Sequence, residues 1–231
     1  MFSATSGPFA IIEHEGRNTT DFYANCYNNV RMAICATWYN WYTFDSLCAE
    51  LESRIEEITK ANAIKSRFQM NVGVSAQKLC FEYEHFMFHQ KITADRIAFF
   101  LSSFFREEQG NIFTLHNHVF KQYASRSNHP KRAYAQAINS VVNRHEDFLS
   151  LIHSSEQGKG KTERDILSHM SFIPFVNPYV QITPPGKASV VFQATFDGKT
   201  TAPESARAIL LQRYNKIAEF TKDMLDTFFD A

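Results

Sequence analysis

SAQKLCFEYEHFMFHQKITADRIAFFLSSFF (residues 75–105) is the stretch that decides the fold. Leu79, Phe81, Phe86, Phe88, Ile92, Ile97, Phe99, Phe100, Leu101, Phe104 and Phe105 fall on almost every side of a 3.6-residue wheel. Such a segment is too long for a strand and too uniformly apolar for a surface helix. It predicts a long, central, well-buried helix, started by Ser75 and stopped by Gln109-Gly110-Asn111.

On the N-terminal side, residues 1–18 form an irregular lead-in with Gly7, Pro8 and Gly16. Thr19, Thr20 and Asp21 can cap a helix whose inner face is Phe22, Cys26, Val30, Ala33, Ile34, Trp38 and Trp41. Asp45 reads as the start of a second helix, with Leu47, Leu51, Ile55 and Ile58 inside. Glu50, Glu52, Arg54, Glu56 and Glu57 form its charged outer face.

On the C-terminal side, a short helix is expected over Phe113 to Ala124, and His129-Pro130 opens another long one. Ala133, Ala137, Val141, Phe148, Leu151 and Ile152 make that helix's inner face. A loop at Glu156 to Lys161 precedes a short helix that Thr162 can cap, which must stop before Pro174. The period then changes from helix to strand. Tyr179, Val180 and Ile182, then Ser189 to Phe196, flank Pro184-Pro185-Gly186-Lys187, which predicts a β-hairpin over about 179–197. Pro203-Glu204 opens a last helix with Ala208, Leu211, Tyr214, Ile217, Phe220, Met224, Leu225 and Phe228 inside. The expected fold is mainly α: a multi-helix bundle over 19–231 with one β-hairpin inserted before the C-terminal helix.

The formal net charge is zero, which disfavours a general polyanion trap but permits a polarised surface. Arg126, Lys131, Arg132 and Arg144 follow one another without an intervening acid, and Lys159, Lys161 and Arg164 extend the bias. The run reads first as a solvated helix face. Cys26, Cys35, Cys48 and Cys80 lack Cys-x-x-Cys spacing and look like small apolar residues in a reducing compartment. No signal peptide and no uncharged apolar run of about 18 residues is visible, so a cytoplasmic protein without a membrane span is expected.

One segment carries chemistry: Arg164-Asp165-Ile166-Leu167-Ser168-His169. A guanidinium holds phosphate oxygens with a permanent charge, and an imidazole moves a proton near neutral pH. Together they suffice for attack by a ribose 2′-hydroxyl on its own phosphate, with no metal or other cofactor. Nearby, Gly158-Lys159-Gly160-Lys161-Thr162 lacks the spacing and preceding strand of a phosphate-binding loop, which excludes a nucleotidase reading. Lys159 and Lys161, with Arg132 and Arg144, are instead candidates for contacting an RNA backbone.

At these residues the chain resembles the HEPN superfamily, whose signature is Arg, four to six residues, then His, often with a polar residue after the Arg. Asp165 fills that polar position. The resemblance implies a helical bundle and a homodimer in which two motifs face one composite cleft. It also implies metal-independent endoribonuclease activity with Arg164, His169 and Asp165 as catalytic residues. Many members are toxins or antiphage effectors, so an antitoxin or regulatory protein is an implied partner. The hairpin between the motif and the last helix departs from the family pattern.

Two other readings stay open. A non-catalytic HEPN-like module would bind a nucleotide, RNA or protein. Alternatively Glu82, His85 and His89, at i, i+3 and i+7 on one helix face, would hold a metal ion with help from Asp45, Glu52, Glu56 or Asp95. Glu84 or Asp95 is also placed to pair with Arg164.

Overall fold

The computed structural model describes residues 8, 11, 20–60, 66–106, 110–152, 177–193, 195–196, 199–200 and 202–230. Its helices are α1 (Thr20–Lys60), α2 (Val74–Phe105), α3 (residues 112–125), α4 (Arg132–Arg144), α5 (Glu146–Ile152) and α6 (Ala206–Asp230). The strands are β1 (Phe68–Met70), β2 (Asn177–Thr183), β3 (Lys187–Gln193), β4 (Thr195–Phe196), β5 (Lys199–Thr200) and β6 (Glu204–Ser205). The chain is therefore mainly α, with the strand pair ahead of the last helix. The described residues fall into two compact units, one drawn from 20–36, 89–152 and 216–230, the other from 37–60, 66–88 and 177–215.

In the first unit the core is aromatic. Phe100 meets Phe228 edge-on at 4.7 Å and Tyr23 at 6.0 Å, while Phe104 packs on Tyr134 and Phe228. Each such pair adds about 0.5–1.5 kcal/mol beyond its buried area. The last carbonyls of α2 have no partner within their own helix, and two side chains supply one. Tyr123 Oη donates to the Phe105 carbonyl at 3.0 Å, and Lys131 Nζ donates to the Phe104 carbonyl at 2.8 Å. Arg106 then leaves the helix in the left-handed region, at φ 62. Asn111 starts α3 by accepting the Thr114 N–H at 2.9 Å, and a π-helical stretch, Leu115–Phe120, occupies the middle of α3.

Two expectations shift here. The long helix opened near Pro130 is two helices, α4 and α5, parted at His145. Its inner face is Tyr134, Ala135, Ile138, Val141, Val142, Phe148, Leu149 and Ile152, whereas Ala133 and Leu151 are exposed. The buried stripe Tyr134, Ile138, Val141, His145, Phe148 and Ile152 keeps one helical spacing through the break, so Val141, Phe148 and Ile152 lie inside as expected, while Ala133 and Leu151 each sit one residue off that stripe.

In the second unit α1 continues through Asp45 without a break. The sheet has the order β1-β2-β3-β6, all antiparallel, and β4 pairs with β5 as a separate ribbon. The hairpin is thus the centre of a four-stranded sheet. Val180, Ile182, Ala188, Val190 and Phe192 alternate onto one face and pack with Phe44, Leu79, Tyr83, Phe86 and Leu210. The last helix, expected to open at Pro203-Glu204, begins at Ala206, because Glu204 and Ser205 pair with Phe192 and Val191. Ala206 and Leu210 are the buried positions there, and Ala208 and Leu211 are exposed.

The turn between β2 and β3 has a cis Pro184-Pro185 bond and Gly186 at φ +131. A Cβ on Gly186 would lie 3.2 Å from Thr59 Oγ1, which donates to the Gly186 carbonyl at 2.9 Å. Only glycine suits both that backbone angle and that approach. Among the described residues, no helix is long and apolar enough to cross a membrane.

Candidate functional site

Arg164, Asp165 and His169, with Lys159 and Lys161, lie outside the described residues, as does the short helix expected to carry them. The described residues flank that segment: α5 ends at Ile152 and β2 begins at Asn177.

The basic run that precedes the motif is held in protein contacts. Lys131 is buried, with its ammonium on the Phe104 carbonyl and 5.1 Å from the Phe104 ring centre. It is not part of a solvated face. Arg126 lies over the Tyr123 ring at 4.6 Å. Arg132 is exposed and its Nε donates to the Ala124 carbonyl at 3.2 Å. Arg144 bonds Asp223 Oδ2 at 2.7 Å. Arg132 and Arg144 stand at opposite ends of α4, about 18 Å apart along its axis, so α4 does not bring them together.

Among the described residues, Glu82, His85 and His89 are not brought together as a metal centre. Glu82 Oε2 is 3.9 Å from His85 Nδ1, and His85 is exposed. Glu82 and His89 are seven positions apart, a rise of about 10 Å, whereas metal donors converge to about 2 Å from one ion. Among the described residues, no group of three or more His, Cys, Asp or Glu is placed to hold a metal. The expected helpers are occupied: Asp95 pairs with Lys91, Asp45 and Glu52 with Arg207, and Glu56 with a backbone N–H of β3.

Sequence reading missed two polar clusters. The first joins α1, the sheet and α6. Asp45 takes Arg207 in a fork, Nε at 2.7 Å and Nη2 at 2.9 Å, and Glu52 Oε2 accepts Nη1 at 3.2 Å. Hydrogen bonding to Asp45 holds the Arg207 pKa above its ordinary value. Glu52 Oε1 accepts the Val190 N–H at 2.8 Å, and Glu56 Oε1 accepts the Ala188 N–H at 3.2 Å. The available signal was the spacing of Asp45, Glu52, Glu56 and Thr59, which share one side of a continuous helix.

The second cluster centres on Asp223. His145 Nε2 lies 3.0 Å from Asp223 Oδ2, which also takes Arg144. The hydrogen bond with His145 is the main cause holding the Asp223 carboxyl below its ordinary range. His116, in the π-helical stretch, is buried, and burial lowers its pKa, with Lys121 adding to the effect.

Cys26, Cys48 and Cys80 are buried as expected, and Cys35 is exposed. Burial raises all three buried thiols, Cys80 to about 11. An open groove of 260 Å³ runs between Glu56, Lys60 and the Pro185–Lys187 turn. A cleft of 80 Å³ lies between Leu47, Leu51, Arg54, Ser75 and Lys78. Both fall short of the roughly 300 Å³ that a small-molecule pocket usually needs. Comparison with family models, with curated proteins and with solved structures returned no match for this chain.

Proposed function

We propose that the chain is a HEPN-like, metal-independent endoribonuclease that works as a homodimer in the cytoplasm, as a toxin or antiphage effector. The observation that carries this reading is the Arg164-Asp165…His169 spacing, set between α5 and the sheet of a mainly helical chain. In the reaction His169 takes the proton of a ribose 2′-hydroxyl, whose oxygen attacks the adjacent phosphorus. The bond from phosphorus to the 5′-oxygen breaks, and that oxygen takes up a proton as it leaves. Arg164 holds the charge that gathers on the phosphate oxygens, and Asp165 orients the pair. The products are a 2′,3′-cyclic phosphate and a free 5′-hydroxyl. Two copies supply two motifs to one cleft, and an antitoxin or regulatory protein covers it when activity is not needed.

The test is RNA degradation in EDTA by wild type, Arg164→Ala and His169→Ala, with product ends read by mass spectrometry. Cyclic phosphate from wild type, and at least hundredfold less from either variant, is expected. Equal rates in all three, or none in wild type at any RNA tried, refute it. RNA binding by wild type without turnover would favour the non-catalytic module instead.

A further inference from the structure

The sheet has a second face, and its chemistry differs sharply from the first. With Val180, Ile182, Ala188, Val190 and Phe192 turned into the core, strand alternation turns Tyr179, Gln181, Thr183, Lys187 and Ser189 the other way. The register arranges these into rows. Thr183 faces Lys187, and Arg67, just before β1, continues that row as a cationic end. Gln69, Gln181 and Ser189 face one another across β1, β2 and β3 as an amide and hydroxyl row. Tyr179 follows as an aromatic end, opposite Val191.

Side-chain hydrogen bonds tie the rows together. Arg67 Nη2 donates to Gln181 Oε1, and Gln69 Nε2 donates to Tyr179 Oη at 3.1 Å. Arg67, Gln69 and Lys187 are exposed, and Tyr179, Gln181 and Ser189 are half-buried. No Asp or Glu occurs in β1, β2 or β3. Val191, the one apolar side chain on this side, is buried.

We infer that this face binds single-stranded RNA, an inference that rests on the ribonuclease reading and names the form of its substrate. Arg67 and Lys187 supply charge for phosphate, the glutamines offer both donors and acceptors to base edges, and the Tyr179 ring takes a base by stacking. The absence of carboxylates from β1, β2 and β3 lowers the repulsion that a polyanion would meet there. A protein partner would need apolar area at the centre of its footprint, which this face does not offer. Three strands span about 10 Å, room for roughly two nucleotides. Polar and aromatic, the face suits splayed bases rather than a duplex.

The test is fluorescence anisotropy of an uncleavable 2′-O-methyl single-stranded oligonucleotide on the full-length wild type and on Tyr179→Ala, Arg67→Gln and Gln181→Ala. Tyr39→Ser, an exposed aromatic on α1, is the control. Tyr179→Ala should weaken binding about tenfold, and Tyr39→Ser should leave it unchanged. Arg67→Gln, at an exposed position, keeps the test decisive where Tyr179→Ala fails to fold, and should weaken binding and flatten its salt dependence. Sheet variants that bind as wild type does, or a duplex that binds as well as the single strand, would overturn the inference. Cleavage at unchanged KM in those variants sinks the sheet face and leaves the ribonuclease reading standing. Sheet-dependent binding without cleavage does the reverse.

Discussion

Lys131→Met tests whether a buried ammonium stabilises the end of α2. Methionine keeps the unbranched stem and loses the charge. Lys131 is 2% exposed, and its Nζ sits 2.8 Å from the Phe104 carbonyl at the negative end of a 32-residue helix. A hydrogen bond to a charged group contributes about 1.5–3 kcal/mol net. Favourable placement at a helix C-terminus adds about 0.3–1 kcal/mol. Against these stands the desolvation of the ammonium, which the substitution relieves. The variant also leaves the Phe104 carbonyl without its donor. We expect a net loss of about 2 kcal/mol. With a urea slope of about 2 kcal/mol per molar, the midpoint falls by about 1 M. Urea unfolding followed by far-UV circular dichroism measures it, with Lys121→Met as the control. Lys121 is exposed and its ammonium donates to Asn117 Oδ1 at 2.8 Å, so its loss should move the midpoint by less than about 0.3 M. A Lys131→Met midpoint at or above that of wild type would refute the reasoning, because desolvation would then outweigh the bond.

Arg207→Ala leaves Asp45 and Glu52 facing each other without a cation, but the guanidinium is 39% exposed and solvent screens the repulsion. A loss of about 1–2 kcal/mol is expected by urea unfolding, with Glu52→Gln costing less, since an amide oxygen still accepts the Val190 N–H. The opposite ranking would refute the clamp. His116 gives a pH signature: its pKa is lowered from 6.5 in the folded protein, so the unfolded chain binds the proton first. Stability is therefore full above 6.5 and declines as pH falls below it, by at most about 1.4 kcal/mol per unit from this group. Thermal unfolding of His116→Gln should show that decline removed. Asp223, also lowered, acts in a separate window, beginning near its ordinary 3.8 and continuing downward.

The hydrophobic pattern made α2 and the hairpin legible. Phe86, Phe100 and Phe104 recur with the helix, and Val180, Ile182, Val190 and Phe192 recur with the strand. What stayed hidden depends on partners far along the chain. Phe68–Met70 is a strand because Val180–Ile182 pairs with it, and three residues have no period of their own. Asp45 looked like a helix cap because its carboxylate could serve the local backbone, yet its partner, Arg207, lies 162 residues away. Lys131 looked solvated because charge usually is, and only the free carbonyl at the end of α2 explains its burial. The Arg164–His169 pair is a candidate from two residue types and a spacing alone, and it lies outside the described residues, so the fold neither supports nor opposes it.

The acids of α1 bear directly on what the sheet can do. On the side of β3 away from β2, the edge would be open along Ala188 and Val190, because β6 pairs only with Val191 and Phe192. An open edge invites another strand. Glu56 and Glu52 take those two N–H groups, and Thr59 takes the Gly186 carbonyl, so one helix face closes the edge with side chains. Four consecutive helical turns of α1, from Asp45 to Thr59, are thereby committed to β3 and Arg207 rather than to solvent. The outcome is a sheet whose core face and β3 edge are both fixed within the unit. Among the described residues, the polar face of β1, β2 and β3 carries no acid, and the nearby acids Asp45, Glu52 and Glu56 are engaged from the helix side. If Glu52→Ala and Glu56→Ala together loosen the sheet, oligonucleotide binding should weaken although neither residue lies on the binding face. If binding persists while hydrogen exchange at Ala188 and Val190 rises, the edge clamp and the RNA face are independent, and this link between them is wrong.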